Sequence, residues 1–166
     1  MGRRAVRTAD PTMVGHAASS IDAADKIIIE QLQEDGRRPY TAIAAAVGLS
    51  EAAVRQRVRN LIDAGVMQIV AVTDPLRLGF RLMAMVGIRI EGDLMAAAGA
   101  LAAVPEVDYV VLTVGTFDLL VELVCEDHDH LLRLLTQKIR VVPGVARTET
   151  FTYLRVLKET YTYGTR

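Results

Sequence analysis

Near residue 74 the apolar residues change period. From Ile21 to Val72 they recur at helical spacing, and after Phe80 they alternate as strand residues do. Between the two lies Asp74-Pro75-Leu76-Arg77-Leu78-Gly79, with a proline and a glycine to interrupt regular structure. A chain of 166 residues divided in this way holds two small units of different class. The expected layout is a tail over 1–20, a helical unit over 21–72, a linker over 73–79, an αβ unit over 80–157 and an extension over 158–166. The fold class is α+β.

Composition narrows what such units can do. Hydrophobic residues make up 51% and charged residues 23%, enough to build packed cores and against a disordered chain. Nineteen Lys and Arg stand against twenty Asp and Glu, which excludes a polybasic protein but leaves room for a local basic patch. The single cysteine, Cys125, excludes an intrachain disulfide and a Cys-x-x-Cys metal site. Aromatics at 5% and the lack of tryptophan argue against a stacking platform for single strands. The longest apolar run, Leu94 to Val104, falls short of the ~18–20 residues a bilayer requires. Residues 1–20 carry Arg3, Arg4 and Arg7 with no apolar segment after them, so a signal peptide does not fit. The reading is cytoplasmic, without a membrane partner, and the tail reads as disordered.

The helical unit predicts three helices and a short hairpin. Asp22 caps the first, which presents Ile27, Ile28 and Leu32 and ends at Asp35-Gly36. Thr41 caps a short second helix through Val47; Gly48-Leu49 makes a tight turn; Ser50 caps a third helix running to about Ala64. The inward face of that third helix holds Val54, Val58, Leu61 and Ile62, and Val66 to Val72 is β-prone enough for a wing strand. Two helices joined by a short glycine turn form a helix-turn-helix, whose second helix can enter the major groove of DNA. Charge agrees: from Arg37 to Asn60 there are five basic residues, Arg37, Arg38, Arg55, Arg57 and Arg59, and one acid, Glu51. Gln56 can pair bidentately with adenine, and Arg55 or Arg59 with guanine, while Arg57 suits packing or phosphate contact better than bases. With Ser50 and Glu51 at the helix start, these residues form the expected contact surface with double-stranded DNA.

The αβ unit contains a repeat. Val104-Pro105-Glu106-Val107 returns as Val142-Pro143-Gly144-Val145, an offset of 38 residues. Each half reads strand, helix, strand, so the whole predicts a ferredoxin-like βαββαβ sheet with helices on one face. Phe80, Leu82, Ala84, Val86, Ile88 and Ile90 alternate with Arg81, Met83, Met85, Gly87, Arg89 and Glu91, a strand with one buried face. Met83, Met85, Val110 and Leu112 are assigned to the opposite face, which needs covering; dimerisation of two sheets is the natural solution.

Little in the chain suggests catalysis. Asp127-His128-Asp129-His130 invites a metal, but residues two apart on a helix do not share a face and no further ligand is at hand. Asp127 or Asp129 is expected to cap a helix, Cys125 to be a small core residue, and no metal or cofactor is expected. Gly115-Thr116-Phe117-Asp118 reads two ways: as a hairpin turn that uses glycine, or as a small-ligand site. Turn amides can receive a carboxylate, and Asp118 can receive an ammonium group.

In order and spacing these motifs resemble the leucine-responsive and asparagine-operon (Lrp/AsnC) regulators. The shared residues include Ile21-Asp22 with Asp25-Lys26-Ile27-Ile28, then Val47-Gly48-Leu49-Ser50, Val54, Arg57-Val58, Leu61, Gly65-Val66, Asp74-Pro75, Gly115-x-x-Asp118 and Pro143-Gly144-Val145. Asn60, where a basic residue is common, and Pro39-Tyr40 depart from the pattern. The resemblance implies a winged helix-turn-helix joined to an effector-binding domain, in dimers that assemble into higher oligomers, often octamers. It implies sequence-specific transcriptional regulation by an amino acid or related metabolite held near Gly115, Thr116, Phe117 and Asp118, with Thr150 contributing. Two alternatives accompany it. One is an architectural DNA-binding protein without an effector. The other is an enzyme similar to sirohaem decarboxylases, whose histidine candidates in the αβ unit are His128 and His130.

Overall fold

Two carboxylates start the first helix, α1 (Ala23–Glu34). Asp22 accepts the Asp25 backbone N–H at 2.8 Å, and Asp25 accepts the Asp22 N–H at 3.3 Å, a reciprocal cap. Helix α2 (Tyr40–Val47) ends at Gly48, whose left-handed backbone (φ 68) suits glycine and turns the chain into α3 (Glu51–Asp63). The Ser50 hydroxyl caps α3 by accepting from the Ala53 N–H. Ile28, Ile43, Val54, Val58 and Leu61 close the core of these three helices.

This computed structural model describes residues 21–160 and residue 165; the expected tail and most of the extension lie outside the described residues. The described residues divide into two compact units, 21–71 with 158–160 and 165, and 72–157. Among the described residues, no helix is long and apolar enough to cross a membrane.

Several expectations for the helical unit need correction. Thr41 does not cap α2: the helix begins at Tyr40, two residues before the expected Ala42, with no side-chain cap. Instead the Pro39 carbonyl, preset by the proline φ of −60, accepts from the amides of Ala42 and Ile43. Ile29, not Ile27, completes the buried face of α1, since Ile27 is 38% exposed. Ile62 is 39% exposed, leaving Val54, Val58 and Leu61 as the inward face of α3. The expected wing strand at Val66–Val72 is not formed. A strand needs a partner for its amides. Here those of Val66 and Met67 bond to the Leu61 carbonyl, and residues 69–72 run exposed.

In the second unit, β1 (Leu82–Ile90), α4 (Leu94–Ala102), β2 (Val107–Leu112), β3 (Leu119–Cys125), α5 (His128–Leu134) and β4 (Val145–Thr152) follow in chain order. Asp93 caps α4 and Asp127 caps α5, which runs on as one wider turn over Leu135–Ile139. The sheet is antiparallel with order β2-β3-β1-β4, the ferredoxin-like arrangement. Leu82, Ala84, Val86 and Ile88 of β1 pack with Leu119, Val121, Leu123 and Cys125 of β3 beneath Leu101, Leu131, Leu134 and Ile139. The strand starts at Leu82, two residues later than expected, because Phe80 and Arg81 lead in from a 3-10 turn over Pro75–Leu78.

Register overturns one further expectation. Val110 pairs with Val121, and Leu112 with Leu119, both core residues of β3. Cross-strand partners share a face, so Val110 and Leu112 lie on the helix-covered side and not on the open one. Met83 and Met85 do lie on the open face, together with Val111, Leu120, Glu122, Val124 and Phe151. Tyr153, just past β4, donates its hydroxyl to Glu122 Oε1 at 2.8 Å.

Candidate nucleic-acid interface and ligand site

Helix α3 sorts its polar residues by periodicity. Val54, Val58 and Leu61 are buried, so Glu51, Arg55, Gln56, Arg59 and Asn60 fall on the exposed flank. Of the arginines expected at a DNA surface, most already have a partner. Arg55 bonds to Glu51 at 2.5 Å, one turn back, and its guanidinium sits 5.3 Å from the Tyr40 ring centroid. Arg38 pairs with Glu34 at 3.1 Å. Gln56 donates to Asn60 Oδ1 at 2.8 Å. Arg37 is exposed, its backbone N–H held by Asp35. Arg59 is exposed on α3 itself. Such exposed pairs are weak, so DNA can displace them at little cost.

Arg57 is placed differently. Its Nη1 lies 2.7 Å from Asp22 Oδ2 and 2.9 Å from Asp25 Oδ1. The Asp25 amide first, and then Arg57, holds the Asp22 carboxyl below its ordinary value; Asp25 first, and then Asp22, holds the Arg57 guanidinium above its own.

The second candidate site is the turn between β2 and β3. The Thr113 hydroxyl donates to the Phe117 carbonyl at 2.6 Å, and the Asp118 N–H donates to the Ile88 carbonyl at 2.9 Å. The Asp118 carboxylate is engaged twice: Oδ2 accepts from the Ile90 N–H at 2.8 Å, and Oδ1 lies 3.3 Å from Arg89 Nη1. The same Arg89 nitrogen donates to the carbonyls of Gly115 (3.2 Å) and Thr116 (3.0 Å), so Arg89 clasps the turn. In the sequence Arg89 is marked only as one position of the strand alternation. Its signal was an arginine on the open face two residues after a glycine.

Gly87 explains how the turn lies on the sheet. A Cβ there would sit 2.6 Å from the Phe117 ring, so only glycine lets that ring cross β1. Phe117 then meets Phe151 edge to face, with centroids 6.1 Å apart. The structure therefore brings Gly115, Thr116, Phe117, Asp118 and Arg89 together. It does not bring Thr150 to them. Thr150 pairs with Val86, on the helix-covered face, whereas Phe117 occupies the open face.

The histidine motif is used locally. Asp127 Oδ1 accepts the His130 N–H at 2.7 Å, and that cap holds the Asp127 carboxyl below its ordinary value. His130 Nδ1 accepts from the Glu126 N–H at 3.2 Å, while His128 is exposed. Burial pushes the Cys125 thiol up to about 11, which makes it a core group and not a nucleophile.

Residues 21–62 match the AsnC-type helix-turn-helix domain, and residues 83–163 match the Lrp/AsnC ligand binding domain. The HTH-type transcriptional regulator FL11 of Pyrococcus horikoshii is 34% identical over 142 residues, 84% of this chain and 93% of that protein. The proline dehydrogenase transcriptional activator of Rhizobium radiobacter is 31% identical over 150 residues, covering 87% and 96%. The structure of AsnC from E. coli superposes with a TM-score of 0.76 at 26% identity, over 86% of this chain and 97% of that one. A Neisseria meningitidis transcriptional regulator, solved in complex with L-Met, shares the fold at 24% identity with a TM-score of 0.75, covering 86% and 95%.

Proposed function

The chain belongs to the Lrp/AsnC family of transcriptional regulators, and from that premise we propose which residues do its work: the exposed flank of α3 reads DNA, and the Gly115–Asp118 turn receives an amino acid or related small metabolite. The observation that carries the reading is the split of α3 into a buried stripe and an exposed flank of Glu51, Arg55, Gln56 and Arg59, on a helix started by the Ser50 cap after a glycine turn. Arg55 and Gln56 read base edges. Arg59, Arg37 and Arg38 engage phosphate, and the α3 N-terminus behind Ser50 adds the favourable end of a helix dipole. At the turn, the Arg89 guanidinium supplies positive charge for an effector carboxylate. Asp118, already bound to the Ile90 amide and to Arg89, holds the turn in shape and offers the remaining negative charge to an ammonium group. Thr150, on the helix-covered face of β4, takes no part in this site. The open face with Met83 and Met85 joins two copies, and dimers build toward an octamer, so two heads address a roughly palindromic site in the cytoplasm. No catalytic role is proposed for His128 or His130.

Selection of duplexes from a random-sequence pool tests the DNA half. Arg55→Ala should relax sequence preference at a cost of ~1–3 kcal/mol, and Arg59→Ala should lower the salt slope by about 1 for all sequences. An Arg55→Ala, Arg59→Ala double variant that bound the selected duplex like wild type would overturn the α3 assignment. A thermal-shift screen of amino acids and keto acids tests the other half, since ligand at ~100 times its Kd adds ~2.7 kcal/mol of stability. Asp118→Ala and Arg89→Ala should abolish that shift. A folded variant with normal ligand affinity would leave the turn as a hairpin only.

A further inference from the structure

On α3, Arg57 stands apart from the other arginines. It follows Val54 by three residues and precedes Leu61 by four, so it lies on the buried stripe of the helix. At 3.6 residues per turn, Arg55 and Arg59 are each rotated about 160° away from it. Its side chain is 33% exposed, and Asp25, beneath it, only 13%. The two carboxylates it meets are those of the α1 cap, and their oxygens are divided without overlap. Asp22 uses Oδ1 for the Asp25 amide and Oδ2 for Arg57; Asp25 uses Oδ2 for the Asp22 amide and Oδ1 for Arg57. All four oxygens are thereby satisfied by one backbone turn and one guanidinium nitrogen.

We propose that Arg57 is a positioning residue: by bridging Asp22 and Asp25 it fixes the rotation of α3 against the start of α1, and it makes no contact with DNA itself. The inference rests on the reading that the exposed flank of α3 binds DNA. Apolar packing of Val54, Val58 and Leu61 is non-directional, so the aim of Arg55, Gln56 and Arg59 needs a directional contact. Charge-assisted hydrogen bonds to two fixed carboxylates supply one. Neutralised in this way, Arg57 has no charge to spend on displacing counterions from DNA. The opposite assignment, in which Arg57 leaves the carboxylates for a phosphate, would break both bonds and leave Asp22 and Asp25 repelling the duplex.

Those two assignments give opposite signs for one substitution. Binding to a duplex selected by the wild-type full-length protein is measured by fluorescence anisotropy over a series of KCl concentrations. Arg57→Gln is expected to weaken binding several-fold while the salt slope stays that of wild type. Asp25→Asn is expected to weaken it too, although it removes a negative charge from a DNA-binding head. The double variant should bind no worse than Arg57→Gln alone, because both changes break one contact. A slope lowered by about 1 in Arg57→Gln, with Asp25→Asn binding as tightly as wild type or tighter, would overturn the proposal in favour of phosphate contact. Variants that melt earlier but bind with wild-type affinity when folded would overturn it in favour of a purely stabilising pair. Should Arg57→Gln fail to fold, Arg57→Lys and Asp25→Asn decide: positioning weakens both, whereas phosphate contact spares the first and tightens the second. A wild type that enriches no duplex overturns the DNA-binding reading itself; a wild type that binds, with variants behaving as a phosphate contact requires, overturns this inference alone.

Discussion

In the helical unit, buried side chains come from three neighbouring helices joined by short turns, whereas in the αβ unit Leu82 pairs with Cys125 and Ala84 with Thr152. Among the described residues, the helical core holds eight buried residues and the αβ core thirteen. With the smaller core, the helical unit depends more on its ends: the Asp22–Asp25 cap, the Ser50 cap and the Arg57 bridge. The αβ unit depends on register. Each strand position assigns a side chain to the helix-covered or the open face, and the turn near Gly115 is held by atoms of β1. A site on a helix flank and a site on a strand turn therefore fail in different ways.

The strongest test of that contrast is truncation of each core. Ile43→Ala and Leu123→Ala remove fully buried side chains, and each should cost ~2–5 kcal/mol. Ile43→Ala should lower a transition of the helical unit and abolish DNA binding while the αβ transition stays in place; Leu123→Ala should do the reverse. Calorimetry that shows one transition moving as a whole for both variants would break the comparison.

A smaller effect is expected at the sheet surface. Gly87→Ala drives a methyl group into the Phe117 ring and should cost ~1–3 kcal/mol, with loss of the Phe117–Phe151 contact. Urea titration followed through the tyrosines of the αβ unit reads the cost. An unchanged midpoint would mean that the ring can move aside freely, and that the turn is held by Arg89 and Asp118 alone.

The smallest effect sharpens the dependence of the helical unit on its cap. In Asp22 the folded carboxyl titrates below its ordinary 3.8, held first by the Asp25 amide and then by Arg57. A group depressed on folding stabilises fully above its unfolded value, and that stabilisation fades as pH falls through the folded value. Asp22→Asn keeps a competent cap, so stability near neutral pH should drop only slightly, while the acid limb of helical-unit unfolding flattens. Asp127, depressed in the same direction by its own cap, serves as the control: the acid limb of the αβ unit should not change. An unaltered helical limb would show that Asp22 does not carry that titration.

By itself the sequence determined what depends on neighbours along the chain. The Asp22 and Ser50 caps were legible, and the α5 cap was narrowed to Asp127 or Asp129, because a cap needs only a side chain and an amide two or three residues on. The 38-residue repeat and the alternation after Phe80 foretold the ferredoxin-like order, and the glycine turn before Ser50 foretold helix α3. Tertiary structure decided what depends on partners elsewhere. Ile29 in place of Ile27 at the core, the missing wing strand, and the side of the sheet taken by Val110 and Leu112 all follow from packing or pairing that periodicity leaves undetermined. So do the two arginines. In the sequence Arg57 reads as a packing or phosphate residue and Arg89 as one position of a strand alternation, and only the fold brings Asp22 and Asp25 to one and the Gly115–Asp118 turn to the other. An ion pair forms between atoms a few ångströms apart in space, and residues 57 and 22, or 89 and 118, become neighbours only once helices and strands have packed.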